Sequence, residues 1–195
     1  MKKFINAKDS MFFVCDMQKV FQPLIHKMPA VMASTVLLTK SMKNLEVPVV
    51  HSEHYVKAFG KTVDSVQQAL DEYHPDRFTL EKRCFTMVTD ELKDFLQANS
   101  DRKTMIISGI ETHVCVLQSC LNFLDMGYKT VVVADAVSSQ RKHDSDVALK
   151  RMEKEGAIIT TAESLIYEMM VTSTHKEFKG ILKHVKERSE NGNFF

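Results

Sequence analysis

An excess of one charge is missing from this sequence. Its 195 residues carry 26 Lys and Arg against 25 Asp and Glu, a formal net charge of +1. Proteins that bind nucleic acid carry a basic patch and a high pI, so the balance removes that footprint. Long apolar runs are also missing, and none approaches the roughly 20 residues of a membrane-spanning helix. The opening MKKFINAKDS has a lysine pair but no apolar signal-peptide core. Cys15, Cys84, Cys115 and Cys120 form no CxxC pair, which speaks against a zinc ribbon or a thioredoxin-type motif. No internal repeat or low-complexity segment interrupts the chain. The expectation is one domain over residues 1–195, burying roughly 70% of its unfolded surface. Reduced thiols and a cytoplasmic location fit that picture, with organelle targeting left open.

The chain is organised around residues 104–124, TMIISGIETHVCVLQSCLNFL. Met105-Ile106-Ile107 is a continuous apolar run that breaks at Ser108-Gly109. Val114, Leu117, Leu121 and Leu124 then recur at helical spacing. The pattern reads as a buried strand, a tight turn and a helix, with Cys115 at the helix start. Unpaired N–H groups and the positive end of the helix dipole favour a thiolate there.

The remaining segments repeat that plan. Strands are expected over 11–16, 47–51, 78–82, 105–107, 130–134 and 157–160, with helices over 30–45, 62–70, 89–98, 144–155, 160–171 and 175–188. Thr89 suits an N-cap ahead of Asp90 and Glu91, and Thr160 with Glu163 makes a capping-box pattern. Residues 52–77 read as an irregular active-site loop around one short helix. Residues 189–195 read as a loose tail, unless Phe194 and Phe195 dock on another subunit. Several strands are continuous apolar runs, as when both sheet faces are covered. The fold class is therefore α/β: a single-domain, doubly wound sheet of six mainly parallel strands with helices on both faces.

In such sheets the ligand crevice lies beyond the carboxyl ends of the strands. Asp16 closes the first strand, Lys82 closes the third, and Cys115 follows the fourth. Cys115 then reads as a nucleophile and Lys82 as the charge that holds its thiolate. Asp16 takes the thiol proton and later returns it or activates water. N–H groups of the turn stabilise an oxyanion. The implied reaction is attack on an amide or similar carbonyl, followed by hydrolysis.

Four segments carry a resemblance. They are Cys15-Asp16-Met17-Gln18 with Phe21, Glu81-Lys82-Arg83-Cys84-Phe85-Thr86-Met87, Gly109-Ile110-Glu111-Thr112-His113-Val114-Cys115-Val116, and Ala134-Asp135-Ala136-Val137-Ser138-Ser139. Their order and spacing resemble the isochorismatase-like cysteine hydrolases, the superfamily of nicotinamidases and N-carbamoylsarcosine amidohydrolases. Within it the sequence most resembles the isochorismatase domain-containing proteins of animals and protists. The resemblance implies a catalytic triad of Asp16, Lys82 and Cys115. It implies a cis peptide between Ile110 and Glu111, which turns the N–H groups of Glu111 and Cys115 toward one oxyanion site. It also implies a homo-oligomer.

The sequence departs from nicotinamidases after the second strand. Where they place an Asp and several His residues to bind a metal, this chain has His51-Ser52-Glu53-His54-Tyr55. The missing Asp-x-His arrangement argues against nicotinamide as substrate and against a bound metal, so no metal and no cofactor are expected. A cysteine at position 115 argues against cleavage of isochorismate, an enol ether.

Plainer readings stand beside these. Cys115 alone suits a small buried apolar residue, Asp16 a cap and Lys82 a solvated charge. Phe21, His54, Tyr55 and His113 are assigned to the substrate pocket, although Phe21 equally suits the core and His113 sits so near Cys115 that it suits pointing elsewhere. Asp135 reads as fixing a loop, the RKHDSD run as a solvated loop with an N-cap, and Cys15, Cys84 and Cys120 as having no role. The function expected is metal-independent hydrolysis of a small amide or related carbonyl compound through a Cys115 thioester. Two alternatives are a non-catalytic interaction protein on the same fold and a ribonuclease, a label some protist relatives carry.

Overall fold

Every residue of Ser10–Cys15 is buried, which a strand shows only when both faces of its sheet are covered. The computed structural model describes residues 4–190. In chain order its elements are β1 (Ser10–Cys15), α1 (Met28–Asn44), β2 (Val49–His54), α2 (Val56–Phe59), α3 (Asp64–Tyr73), β3 (Phe78–Lys82), α4 (Asp90–Ala98) and β4 (Thr104–Ile110). A π-helical turn over Thr112–Val116 then leads into α5 (Leu117–Asp125). β5 (Lys129–Ser138), α6 (Lys142–Lys154), β6 (Ile158–Thr160), α7 (Ala162–Met170) and α8 (Phe178–Glu190) complete the chain.

The strands form one sheet in the order β3-β2-β1-β4-β5-β6. All five pairings are parallel, so the sheet is wholly rather than mainly parallel. Alternation along the strands divides the core in two. Phe12, Val14, Ile106, Val131 and Val133 face α1, α7 and α8 through Leu38, Met42, Leu165 and Ile181. Met11, Phe13, Ile107 and Val132 face α4, α5 and α6 through Leu92, Phe123 and Met152. Each fully buried phenylalanine contributes about 1.5–3 kcal/mol, so β1 alone anchors both layers.

Helix starts follow local chemistry in one case and distant chemistry in another. The Thr89 side chain accepts a hydrogen bond from the Leu92 N–H at 3.2 Å, as expected of an N-cap. The expected capping box at Thr160 and Glu163 is absent, because Thr160 ends β6 and Thr161 takes the cap position without capping by its side chain. Asp135 does that work from β5. One carboxylate oxygen accepts the Ala162 N–H at 2.8 Å, and the other pairs with Arg188 of α8 at 2.9 Å. The RKHDSD run supplies no side-chain cap either, since Arg141 occupies the cap position of α6.

Several boundaries also differ, and β4 runs on through Ser108-Gly109 to Ile110 instead of breaking there. β2 continues to His54 and β5 to Ser138, each held by its neighbours. α8 runs to Glu190. Residues 191–195, with Phe194 and Phe195, lie outside the described residues.

Candidate active site

The strand order reverses between β1 and β4, the central pair, and in open α/β sheets a crevice forms at such a point. Asp16 is the first residue past β1. It adopts a left-handed backbone with φ of +49°, a region Asp enters more readily than most residues. Its carboxylate is almost fully buried and doubly held. Oδ1 accepts the Ser52 hydroxyl at 2.7 Å and Oδ2 accepts the Lys82 ammonium at 2.5 Å.

Lys82 ends β3, two strands away, and its side chain is fully buried. Its three protons have a full set of acceptors: Asp16, the Phe85 carbonyl at 2.9 Å and the Cys84 carbonyl at 3.3 Å, with His54 Nδ1 at 3.4 Å. Burial alone would lower the lysine pKa. The acidic groups around it, Cys15, Asp16 and Cys115, outweigh burial, and Lys82 is pushed up to about 12. Cys15 is itself held protonated by burial, by its hydrogen bond with Cys115 and by Asp16. Lys82 and Asp16 thus form a buried ion pair.

Cys115 sits in the π-helical turn, one residue before its last position. It does not open a regular helix, as the spacing had suggested; α5 starts at Leu117. π-Helical turns are frequent at functional sites. Neighbouring segments pin the turn. The Glu111 carboxylate accepts the Gln140 N–H at 2.9 Å. His113 Nδ1 lies 2.9 Å from Ser139 Oγ, and Thr112 Oγ1 accepts the Ser145 hydroxyl at 2.9 Å. Ser119 donates to the Cys115 carbonyl at 2.6 Å. Part of the loop expected to be only solvated thus braces the cysteine turn. The Ile110–Glu111 peptide is cis.

Between these groups lies a cavity of about 180 Å³. Asp16, Ile110, Glu111, Val114 and Cys115 line it from the ends of β1 and β4, and the rings of Phe21, His54, Phe59 and Phe85 line the rest. A larger cavity of about 290 Å³ lies against α1 and α8 and contains none of this chemistry.

The structure brings Asp16, Lys82 and Cys115 together and puts Phe21 and His54 in the cavity wall. Two expected pocket residues are elsewhere. Tyr55 packs edge-on against Phe59 and beneath the Arg83 guanidinium, 3.9 Å from its ring centre. His113 is turned to Ser139. Sequence reasoning missed Ser52, which faces Cys15 in register, and the rings of Phe59 and Phe85. It also missed Gln18, fully buried, whose amide donates to the His54 and Gly60 carbonyls at 2.9 and 2.7 Å while its oxygen accepts the His54 N–H at 2.7 Å. Gln18 thereby fixes the backbone that carries His54 and Phe59.

His51, Glu53 and His54 do not converge on one point. Glu53 accepts from Lys61 and from the Thr62 N–H and hydroxyl. His51 Nε2 lies 2.8 Å from Thr62 Oγ1. The threonine proton goes to Glu53, so His51 carries its hydrogen on Nε2 and leaves a buried, unpartnered Nδ1. The ligand atoms of Asp16, His54 and Cys115 do lie within 4.8 Å of one another. A cation binding there would have to displace the Lys82 ammonium, which already touches Asp16.

Burial lowers the His51 pKa to about 4, against a smaller opposing effect of Glu53. Above pH 6.5 both folded and unfolded chains hold this ring neutral. As the pH falls toward 4, the unfolded chain takes up a proton that the folded chain refuses, so stability is lost. The gap corresponds to roughly 3 kcal/mol at about 1.36 kcal/mol per pH unit. Urea unfolding at pH 7 and pH 4 is expected to show wild type losing about that much more than His51→Gln; equal losses would contradict it.

Comparison with known proteins identifies the lineage. The sequence profile of the isochorismatase domain matches residues 10–164. A secreted isochorismatase effector, Isc1, from Phytophthora sojae is 40% identical over 187 residues, covering 95% of this chain and 89% of its own. The solved structure of MAR1 ribonuclease from Caenorhabditis elegans superposes with a TM-score of 0.88 at 33% identity, covering 94% of this chain and 92% of that one. The YcaC gene product of Escherichia coli, described as an octameric hydrolase of unknown specificity, shares the fold with a TM-score of 0.87 at 17% identity, covering 98% and 93% of the two chains. With the profile spanning most of the sequence, the chain belongs to the isochorismatase family.

Proposed function

We propose that this protein is a cysteine hydrolase that cleaves the C–N bond of a small amide without a metal. The observation that carries the reading is a cavity wall on which the Asp16 carboxylate and the Cys115 thiol stand close together, with Lys82 buried behind it and paired to Asp16. In the first half-reaction Asp16 accepts the thiol proton while the sulfur attacks the carbonyl carbon. Lys82 balances the negative charge as it passes from the carboxylate to the sulfur. The backbone N–H groups of Glu111 and Cys115 receive the oxyanion. Collapse breaks the C–N bond, and the proton from Asp16 leaves with the amine. Water then attacks the thioester while Asp16 takes its proton; the C–S bond breaks, Asp16 returns the proton to the sulfur, and the carboxylic acid is released.

A ribonuclease reading has the name of the nematode structure in its favour. Phosphate contacts dominate nucleic-acid affinity, yet among the described residues no lysine or arginine lines the cavity, and the net charge is +1. An interaction role without catalysis would leave a thiol and an ion-paired carboxylate on one cavity wall without a purpose. Four unpaired thiols support a reducing compartment such as the cytoplasm. Homo-oligomeric assembly belongs to the reading on the example of the E. coli octamer; a monomeric mass by light scattering would overturn it.

The test is to trap the intermediate. After incubation with a panel of small amides and an acid quench, peptide mass spectrometry is expected to find the acyl group on Cys115. Amine release is expected to fall by about 10³-fold or more in Cys115→Ala. Turnover that survives this substitution would overturn the reading.

A further inference from the structure

We propose that Cys15 is the resolving partner of Cys115 toward hydroperoxides, so that a small hydroperoxide entering the cavity converts the two thiols into a Cys15–Cys115 disulfide. The inference rests on the nucleophilic reading of Cys115 and adds a reversible oxidation to that site.

Placement is the first support. Side chains alternate along β1, so Cys15 shares a face with Met11 and Phe13 and points into the layer of α4, α5 and α6. Its partner across the sheet is Gly109, which puts no side chain beside it. The π-helical turn that follows β4 brings Cys115 onto the same packed group. The two thiols are hydrogen-bonded to each other.

Order of access is the second support. Cys115 lines the cavity and is 8% exposed, whereas Cys15 is completely buried and off the cavity wall. An oxidant therefore meets Cys115 first, and only the oxidised Cys115 meets Cys15. A sulfenic acid stops at a disulfide when a second thiol stands next to it, and otherwise goes on to the irreversible sulfinic acid. The other two cysteines are placed differently. Cys84 is exposed and its sulfur is turned to the Thr86 carbonyl at 3.4 Å. Cys120 lies in α5, where burial alone acts on its thiol.

The space and the charges suit the chemistry. About 180 Å³ is several times the roughly 30 Å³ that one water takes in the liquid, so hydrogen peroxide or a short alkyl hydroperoxide fits. Asp16 accepts the Cys115 proton, and the sulfur attacks the terminal peroxide oxygen. An S–O bond forms, the O–O bond breaks, and the leaving alkoxide or hydroxide takes the proton from Asp16. The Cys15 sulfur then attacks the Cys115 sulfur. An S–S bond forms, the S–O bond breaks, and the Cys15 proton leaves with the hydroxyl as water. The two thiols are oxidised and the peroxide is reduced. A small thiol reductant reverses the product by thiol–disulfide exchange.

Peroxide treatment with peptide mapping tests the pairing. Wild-type protein is exposed to hydrogen peroxide at pH 7, remaining thiols are blocked with N-ethylmaleimide, and peptides are mapped without reduction. A peptide pair joined through Cys15 and Cys115 is expected, and dithiothreitol is expected to restore most of the iodoacetamide labelling of Cys115. In Cys15→Ala, dimedone is expected to trap a sulfenic acid on Cys115, and the fraction of Cys115 lost beyond rescue by dithiothreitol is expected to rise several-fold. Three results would overturn the pairing and leave the nucleophile in place: Cys115 alkylated by iodoacetamide but untouched by peroxide, Cys115 oxidised to sulfinic acid while Cys15 stays free, or Cys115 joined to Cys84 or Cys120. Cys115 unchanged by both peroxide and iodoacetamide would overturn the nucleophilic reading and this inference with it.

Discussion

Gly109→Ala is expected to be among the most damaging single substitutions in this protein, with a loss of about 4 kcal/mol or more. Gly109 lies in β4 with φ of +113°, directly opposite Cys15 of β1. A Cβ built there would stand 2.0 Å from the Cys15 carbonyl oxygen and 2.7 Å from its nitrogen. Both are backbone atoms, so no rotamer change relieves the contact. The two central strands would have to separate, and those strands carry Asp16 and the cysteine turn. Overpacking costs about 1–3 kcal/mol or more, and the left-handed backbone adds roughly 1–3 kcal/mol. Gly127, at φ of +81° beyond the end of α5, provides the contrast, because a Cβ there meets nothing within 4 Å. Gly127→Ala is expected to cost only about 1 kcal/mol. Thermal melts should separate the two by roughly 6–12 °C. Equal midpoints would show that β1 and β4 can part without penalty.

Lys82→Met is the second large effect. Methionine fits the volume of the lysine stem but removes the ammonium, leaving the Asp16 carboxylate buried beside Ser52 with no cation. Breaking a buried ion pair from one side costs about 3–5 kcal/mol. The Phe85 and Cys84 carbonyls lose a donor in the same step. Lower stability and lower thiol reactivity are therefore expected together, because the same ammonium holds the loop that carries Phe85 and balances the charge beside Cys115.

Much of this was legible in the sequence. Continuous apolar runs such as Phe12-Phe13-Val14 and Val131-Val132-Val133 mark buried strands because side chains on both faces must be apolar. Asp16 at the end of such a run, and Lys82 at the end of the alternating strand Phe78–Lys82, then stand out at the sheet edge. The illegible parts depend on contacts distant in sequence. Asp135 caps α7 from 27 residues away, so the local Thr160–Glu163 pattern misleads. Phe59 and Phe85 lie in polar, irregular stretches where no periodicity assigns a ring to a pocket. Gln18 looks like any surface glutamine until the chain near His54 and Gly60 folds over it. Tyr55 neighbours His54 but has a left-handed backbone, φ +36°, at the end of β2, and its ring packs on Phe59 and Arg83 rather than on the cavity wall.

The central claim is that Asp16 and Lys82 make Cys115 reactive, and one competition tests it. Cys84 is exposed, whereas Cys115 is only 8% exposed. Burial holds the thiols of Cys15 and Cys120 up, Cys120 at about 12, so neither competes. With iodoacetamide limiting at pH 7, peptide mapping is expected to find Cys115 modified before Cys84 in the wild type. The order should reverse in Lys82→Met. Cys84 reacting first in the wild type, as exposure alone dictates, would contradict the account.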